Sequence, residues 1–255
     1  MNERNEKNLK VMGLMEHLDE LRGRIFRSLI AVVIIFGIAF SFANYIFEFL
    51  KGPLVAALPE GSNALHFTGP MDVLIANIKI SFLAAVVGAC PFWLYQFWKF
   101  LEPALYEHEK KYAIPFLFSS VSLFFSGVAF CFFVIMPLAM EFLIQMGMEV
   151  GTPIITVADY VSVLMLLIFG FGLVFETPVI LVLLALLDLV DADMLAENRK
   201  FVLVGVMILG ALLTPPDPIS QIAMGLPTYL MFEMSIVIIR LVKRKRKPVE
   251  LEVKN

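Results

Sequence analysis

Three glutamates stand where a carboxylate would do binding work: Glu20, Glu109 and Glu176. Glu20 lies four residues before Arg24, a spacing that makes a surface ion pair on a helix worth only tenths of a kcal/mol, about 0.2–0.5. Glu109 has no such neighbour, because Leu105 and Ala113 occupy the positions four before and four after it, whereas Glu107 has Lys111. Both carboxylates stand just outside the ends of apolar segments, where they could converge on one basic ligand. Two carboxylates facing two guanidinium groups give strong, planar, charge-assisted recognition. Glu176 is different, since it sits inside an apolar segment. Such a group is expensive in a membrane and must face a wet cavity, a partner or a bonding group, or be held as the neutral acid. Lys79, Gln221 and Glu233 also fall within apolar segments, so one wide polar cavity serving all four is expected.

Catalytic patterns are missing. The chain has no G-x-S-x-G, H-E-x-x-H or P-loop sequence, so it reads as a receptor or conduit and not as an enzyme. Cys90 and Cys131 lie within apolar segments and are expected as small buried hydrophobes. His17, His66 and His108 are scattered over separate segments, so no metal site, and no cofactor, is expected.

The elements that must position these groups are membrane helices. The 255 residues are 60% hydrophobic with mean hydropathy +0.85, too apolar for an ordinary soluble domain. Six apolar segments follow from the pattern. An arm over residues 1–27, with Leu14, Leu18, Leu21 and Ile25 at helical spacing, should run into a first span at 28–47 as one helix. No A-x-A cleavage pattern follows, so this span is expected to stay in the protein. The second span covers about 73–98 and ends in an aromatic cluster from Phe92 to Trp98, the third 112–140, and the fourth 160–187. An external loop is expected over 141–159. The fifth, 201–213, is stopped by Thr214-Pro215-Pro216-Asp217-Pro218 and is too short for a bilayer core of about 30 Å. The sixth, 219–239, starts at once, so the two form a tight hairpin. Residues 240–255 make a basic tail, and no internal repeat is visible. The fold class expected is all-α, a single polytopic membrane domain over 1–255.

Charge gives the orientation. Of the 20 Lys and Arg, all but Lys51 and Lys79 lie in the arm, in two alternate loops and in the tail. The positive-inside rule then places both chain ends in the cytoplasm. The run Lys243-Arg244-Lys245-Arg246-Lys247, directly after a span, suits an anionic lipid surface better than nucleic acid.

Several stretches resemble the TatC family. They are Glu16-His17-Leu18-Asp19-Glu20-Leu21-Arg22-Gly23-Arg24; Pro91 to Trp98 followed by Glu102-Pro103-Ala104-Leu105-Tyr106-Glu107-His108-Glu109; Phe171 to Pro178; and Leu212-Leu213-Thr214-Pro215-Pro216-Asp217. They occur in order over nearly the whole chain. The resemblance implies a glove-shaped six-helix bundle with short fifth and sixth helices, in the inner membrane. It implies a receptor of the twin-arginine translocase, which exports folded proteins using the proton-motive force. Glu20 and Glu109 would bind the paired arginines of signal peptides, and Glu176 would lie on a concave polar face. Met207, Leu212, Leu213, Thr214 and Gln221 would meet the single-span TatA and TatB partners, in a complex that is a homo-oligomer with respect to this chain. The competing class is a proton-coupled transporter of a small solute using Glu176; the truncated fifth span and the absence of repeats speak against it. A passive scaffold would show no ligand dependence.

Overall fold

The computed structural model describes residues 14–58, 65–66, 69–101, 113–151, 155–213 and 218–252. The arm and first span form one helix, α1 (Leu14–Ser41). The polar arm continues without a proline into the apolar run, as the leucine spacing requires. Two short helices follow, α2 (Ala43–Leu50) and α3 (Gly52–Ala57). The second span is broken into α4 (Pro70–Gly88) and α5 (Cys90–Leu101). Pro91 has no N–H to continue the ladder across the junction, and the Trp93 indole Nε1 donates to the Val86 carbonyl at 3.1 Å beside it.

The third span consists of α6 (Ala113–Phe130), a π-helical turn over Cys131–Ile135, and α7 (Met136–Val150). The π turn immediately precedes Pro137 and absorbs its missing donor. α7 corrects the loop expected from Glu141, because the helix runs on to Val150. Tertiary packing holds these extra turns, with Ile144 only 2% exposed, and Gln145 donates to Glu141 four residues back at 3.2 Å. The fourth span is α8 (Val157–Val174) and α9 (Thr177–Leu186), interrupted at Phe175–Glu176 before Thr177-Pro178. α9 closes in a Schellman motif: the Leu189 N–H donates to the Leu184 carbonyl at 2.9 Å and Asp188 N–H to Ala185 at 3.3 Å. Asp188 takes the left-handed conformation, φ 57°, that this cap needs.

After α10 (Ala192–Glu197), α11 (Arg199–Leu213) and α12 (Pro218–Glu252) complete the chain. Among the described residues five helical segments are long and apolar enough to cross a membrane, and α11, with 15 residues, is the short fifth span in chain order. The apolar part of α12 is 22 residues, 221–242, yet the helix extends past the expected end at Ile239 and carries the basic stretch to Glu252.

α8 is the central element. Tyr160, Val161, Leu164, Leu167, Ile168 and Phe171 are all buried, against α4, α6 and the π turn. α1 is peripheral: among its described residues only Ala39 is buried, so most of its surface is left for lipid. α2, α3 and the end of α7 cap one end of the bundle. There the Tyr160 hydroxyl donates to the Leu50 carbonyl at 2.5 Å, and His66 pairs with Ile155 and Val157 in a single parallel β-bridge across to Thr156. Glu48 neutralises Lys51 on this cap at 2.7 Å.

Candidate functional site

Glu20 sits two turns into α1. Its Oε1 accepts from both Nε (3.1 Å) and Nη2 of Arg24, so the pair expected from the sequence is formed. The second oxygen, Oε2, is buried and has no hydrogen-bond partner among the described residues. Here is a carboxylate already holding one guanidinium, with half its acceptor capacity unused. His17 stacks on Phe100 of α5 with ring centroids 4.3 Å apart, which brings the start of α1 against the end of the second span. Glu109 lies just beyond α5 in sequence, outside the described residues, as does Thr214.

Glu176 occupies the break between α8 and α9 and is 5% exposed. Its Oε2 accepts from the Ser120 hydroxyl of α6 at 2.6 Å, and Ser120 in turn accepts from the Trp98 indole of α5 at 3.3 Å. A hydroxyl has one proton to give and lone pairs to receive, so the relay Trp98–Ser120–Glu176 is internally consistent and ties three helices together. The other oxygen, Oε1, is buried without a partner among the described residues. Two glycines allow the approach. A Cβ on Gly127 of α6 would lie 2.7 Å from the Phe171 carbonyl oxygen and 2.8 Å from the Phe175 ring, and one on Gly172 of α8 would lie 2.7 Å from the Phe124 ring. With both positions bare, α6 and α8 pack closely enough for Ser120 to reach Glu176.

The shared polar cavity expected for the four intramembrane polar residues is not how they are satisfied. Each has its own partner, and the bonds fall on three helix pairs, with Glu233 and Gln221 both bonded across α11–α12. The Lys79 ammonium donates to Ser162 of α8 at 2.8 Å. Glu233 of α12 binds Arg199 of α11 through Nε at 2.7 Å and Nη2 at 2.9 Å, and accepts from the Tyr229 hydroxyl at 2.9 Å. Gln221 Nε2 donates to the Met207 carbonyl at 2.9 Å. Burying polar groups in hydrocarbon is costly enough that each takes the partner nearest to hand.

Of the expected partner-binding residues, Met207 and Gln221 are therefore in contact across the α11–α12 hairpin, and Leu212 and Leu213 end α11. Gly210 faces Gln221 and Gly225 faces Met207, with space for a Cβ at 3.4 Å from the neighbouring side chain in each case. The residues that sequence reading missed are Ser120, Trp98, Gly127, Gly172 and Arg199. Their signal was weak: a serine within an apolar span, and two small residues whose value appears only when the facing aromatic side chains are known.

Residues 16–227 match the model of the family described as Sec-independent protein translocase protein (TatC). The chain belongs to the TatC family. It is 41% identical to the Sec-independent protein translocase protein TatC of Aquifex aeolicus (strain VF5) over 241 residues, 94% of this chain and 99% of that one. Identity to the TatC of Escherichia coli (strain K12) is 40% over 226 residues, 88% of this chain and 86% of the relative. A crystal structure of the twin arginine translocase receptor TatC superposes with a TM-score of 0.78 at 40% identity, covering 89% of this chain and 100% of that chain. The all-helical fold read from the sequence is thus that of TatC. The family is one of translocase proteins and not of enzymes, and the chain is a multi-pass membrane protein.

Proposed function

We propose that this chain is the signal-peptide receptor and core subunit of a twin-arginine translocase. Both chain ends lie in the cytoplasm, and Glu20 with Glu109 binds the two arginines of the signal peptide at that face. The observation that carries this reading is Glu20 itself, a carboxylate that already binds one guanidinium and keeps a second oxygen open. The relatives' names as Sec-independent translocase proteins and the receptor identity of the matched crystal structure support it. Single-span TatA and TatB subunits dock on α11 and the start of α12, around Met207, Leu212, Leu213, Thr214 and Gln221. Several copies of the chain assemble in the complex, and residues 1–255 act as one membrane domain. The proton-motive force drives export of folded cargo, with Glu176 acting after recognition, when a partner helix offers a donor to its open oxygen.

The test is binding of a twin-arginine signal peptide to the full chain in nanodiscs, against a twin-lysine control. Arginine-dependent binding that is lost in Glu20→Ala and in Glu109→Ala is expected. Equal binding of both peptides, or full binding by the double variant, would overturn the assignment.

A further inference from the structure

A serine inside a helix has a default partner. Its hydroxyl reaches the carbonyl four residues back, one turn away and always at hand. Ser119 and Ser126 of α6 follow this rule, donating to the Pro115 and Ser122 carbonyls at 2.9 and 2.7 Å. So do Ser28, Ser81, Ser162 and Ser235 on other helices. Ser120 departs from it. Its one proton goes to Glu176 Oε2 of another span instead of to the Phe116 carbonyl. An incoming donor alone does not cause this, because Ser162 accepts from the Lys79 ammonium at 2.8 Å and still bonds the Ala158 carbonyl. At Ser120 an indole donor and a carboxyl acceptor act on one hydroxyl together.

Those two groups are not equally free to move. The Trp98 side chain is buried and stacks on Phe116, with ring centroids 5.4 Å apart and planes 14° apart. Phe116 lies four residues before Ser120 on α6, so the indole is clamped against the helix face that carries the serine. Turning the ring would break the stack. Its N–H is therefore a fixed donor, and a buried indole N–H needs an acceptor, which the Ser120 oxygen supplies at 3.3 Å. Glu176, by contrast, has a long, rotatable side chain at the break between α8 and α9. Ser120 is the one hydrogen-bond partner of its carboxyl among the described residues. We infer that Trp98 is the positioning residue for Glu176 in export: its N–H holds the Ser120 hydroxyl out of the default bond, and that hydroxyl fixes the carboxyl and the place of its open oxygen. Without the indole, Ser120 falls back on the Phe116 carbonyl and Glu176 turns freely. The inference deepens the role proposed for Glu176 and rests on it.

The experiment reads the infrared band of the Glu176 carboxyl, identified by its loss in Glu176→Gln, in the full chain in nanodiscs. Trp98→Phe should shift that band to where Ser120→Ala puts it, and the double variant should move it no further. Since Trp98→Phe also shrinks a buried ring, a second replacement keeps the shape. The chain has two tryptophans, so in a Trp93→Phe background Trp98 alone can be exchanged for benzothienylalanine, which has sulfur in place of the N–H. The same band shift is expected there, relative to the Trp93→Phe chain. Export of folded cargo by vesicles that also carry the single-span subunits should fall about five-fold with either replacement, the worth of one hydrogen bond. A band unmoved by both replacements would overturn the inference, as would full export by the benzothienylalanine chain where Glu176→Gln fails. Normal export by Glu176→Gln would instead overturn the role proposed for the carboxyl itself, and this inference with it.

Discussion

Arg24 already occupies one oxygen of Glu20, so an incoming guanidinium must take the open Oε2 or displace Arg24. The two substitutions at this pair therefore predict different outcomes. Glu20→Gln removes the charge and should weaken twin-arginine peptide binding about tenfold, the lower end expected for a hydrogen bond to a charged group. Arg24→Gln removes the internal competitor and should leave binding at least as tight as in the unaltered chain. Calorimetric titration of both variants decides between this and a purely structural pair, for which the two losses would match. A second residue-scale prediction concerns the relay at Glu176. Glu176→Gln keeps an oxygen for Ser120 to bond and should leave peptide affinity unchanged while export in vesicles falls. Ser120→Ala instead leaves both Glu176 oxygens without a partner among the described residues and should cost about 1 kcal/mol of stability, visible as a lower Tm in detergent. Normal export by Glu176→Gln would remove this carboxyl from the mechanism.

Helix contacts set which of these side chains can meet. Gly127→Ala would drive a methyl group into the backbone carbonyl of Phe171, with the Phe175 ring beside it, whereas Gly172→Ala meets only the Phe124 ring. A ring can turn; a helix carbonyl cannot. Gly127→Ala should therefore be the more damaging, by about 1–3 kcal/mol of overpacking. It should also weaken the Ser120–Glu176 bond, since Ser120 is carried two turns away on the same helix. Thermal unfolding of the two variants side by side checks the order, and equal Tm values would refute it. Much of this level was legible in the sequence. The leucine spacing gave α1 its early start and the proline cluster ended α11, whereas the fourth span, expected as one segment over 160–187, is interrupted at Phe175–Glu176. The continuation of α7 to Val150 was not legible, because Glu141 and the absence of Lys or Arg look like an exit from the membrane. What holds those turns is burial of Ile144 against the cap, a tertiary contact that no local pattern records. The site divides in the same way. Glu20, Glu176 and Gln221 stood out as polar groups near or within apolar runs, while Ser120 and the two glycines acquire meaning only from the side chains opposite them.

The molecule as a whole has uneven thickness. α11 has 15 residues, about 22 Å of helix against a hydrocarbon core of about 30 Å, a shortfall of about 8 Å. The hairpin cannot slide to hide it, because it is pinned twice: Arg199 to Glu233 near one end and Gln221 to Met207 toward the other. Burial inside the protein does not relieve it either, since Phe201, Val204 and Ile208 of α11 are 65%, 57% and 63% exposed. Either the bilayer thins at this face or another helix covers it, at a cost for uncovered mismatch of fractions of a kcal/mol per Å. The chain alone should therefore be more thermostable in nanodiscs of short-chain lipid than in those of long-chain lipid. Adding a single-span partner should flatten that dependence, because the partner then faces the lipid in place of α11. Thermal unfolding in two chain lengths, with and without partner, tests both halves. No effect of chain length on the isolated protein would mean that mismatch at α11 carries no energetic weight. A dependence that survives saturating partner would place the docking surface elsewhere on the bundle.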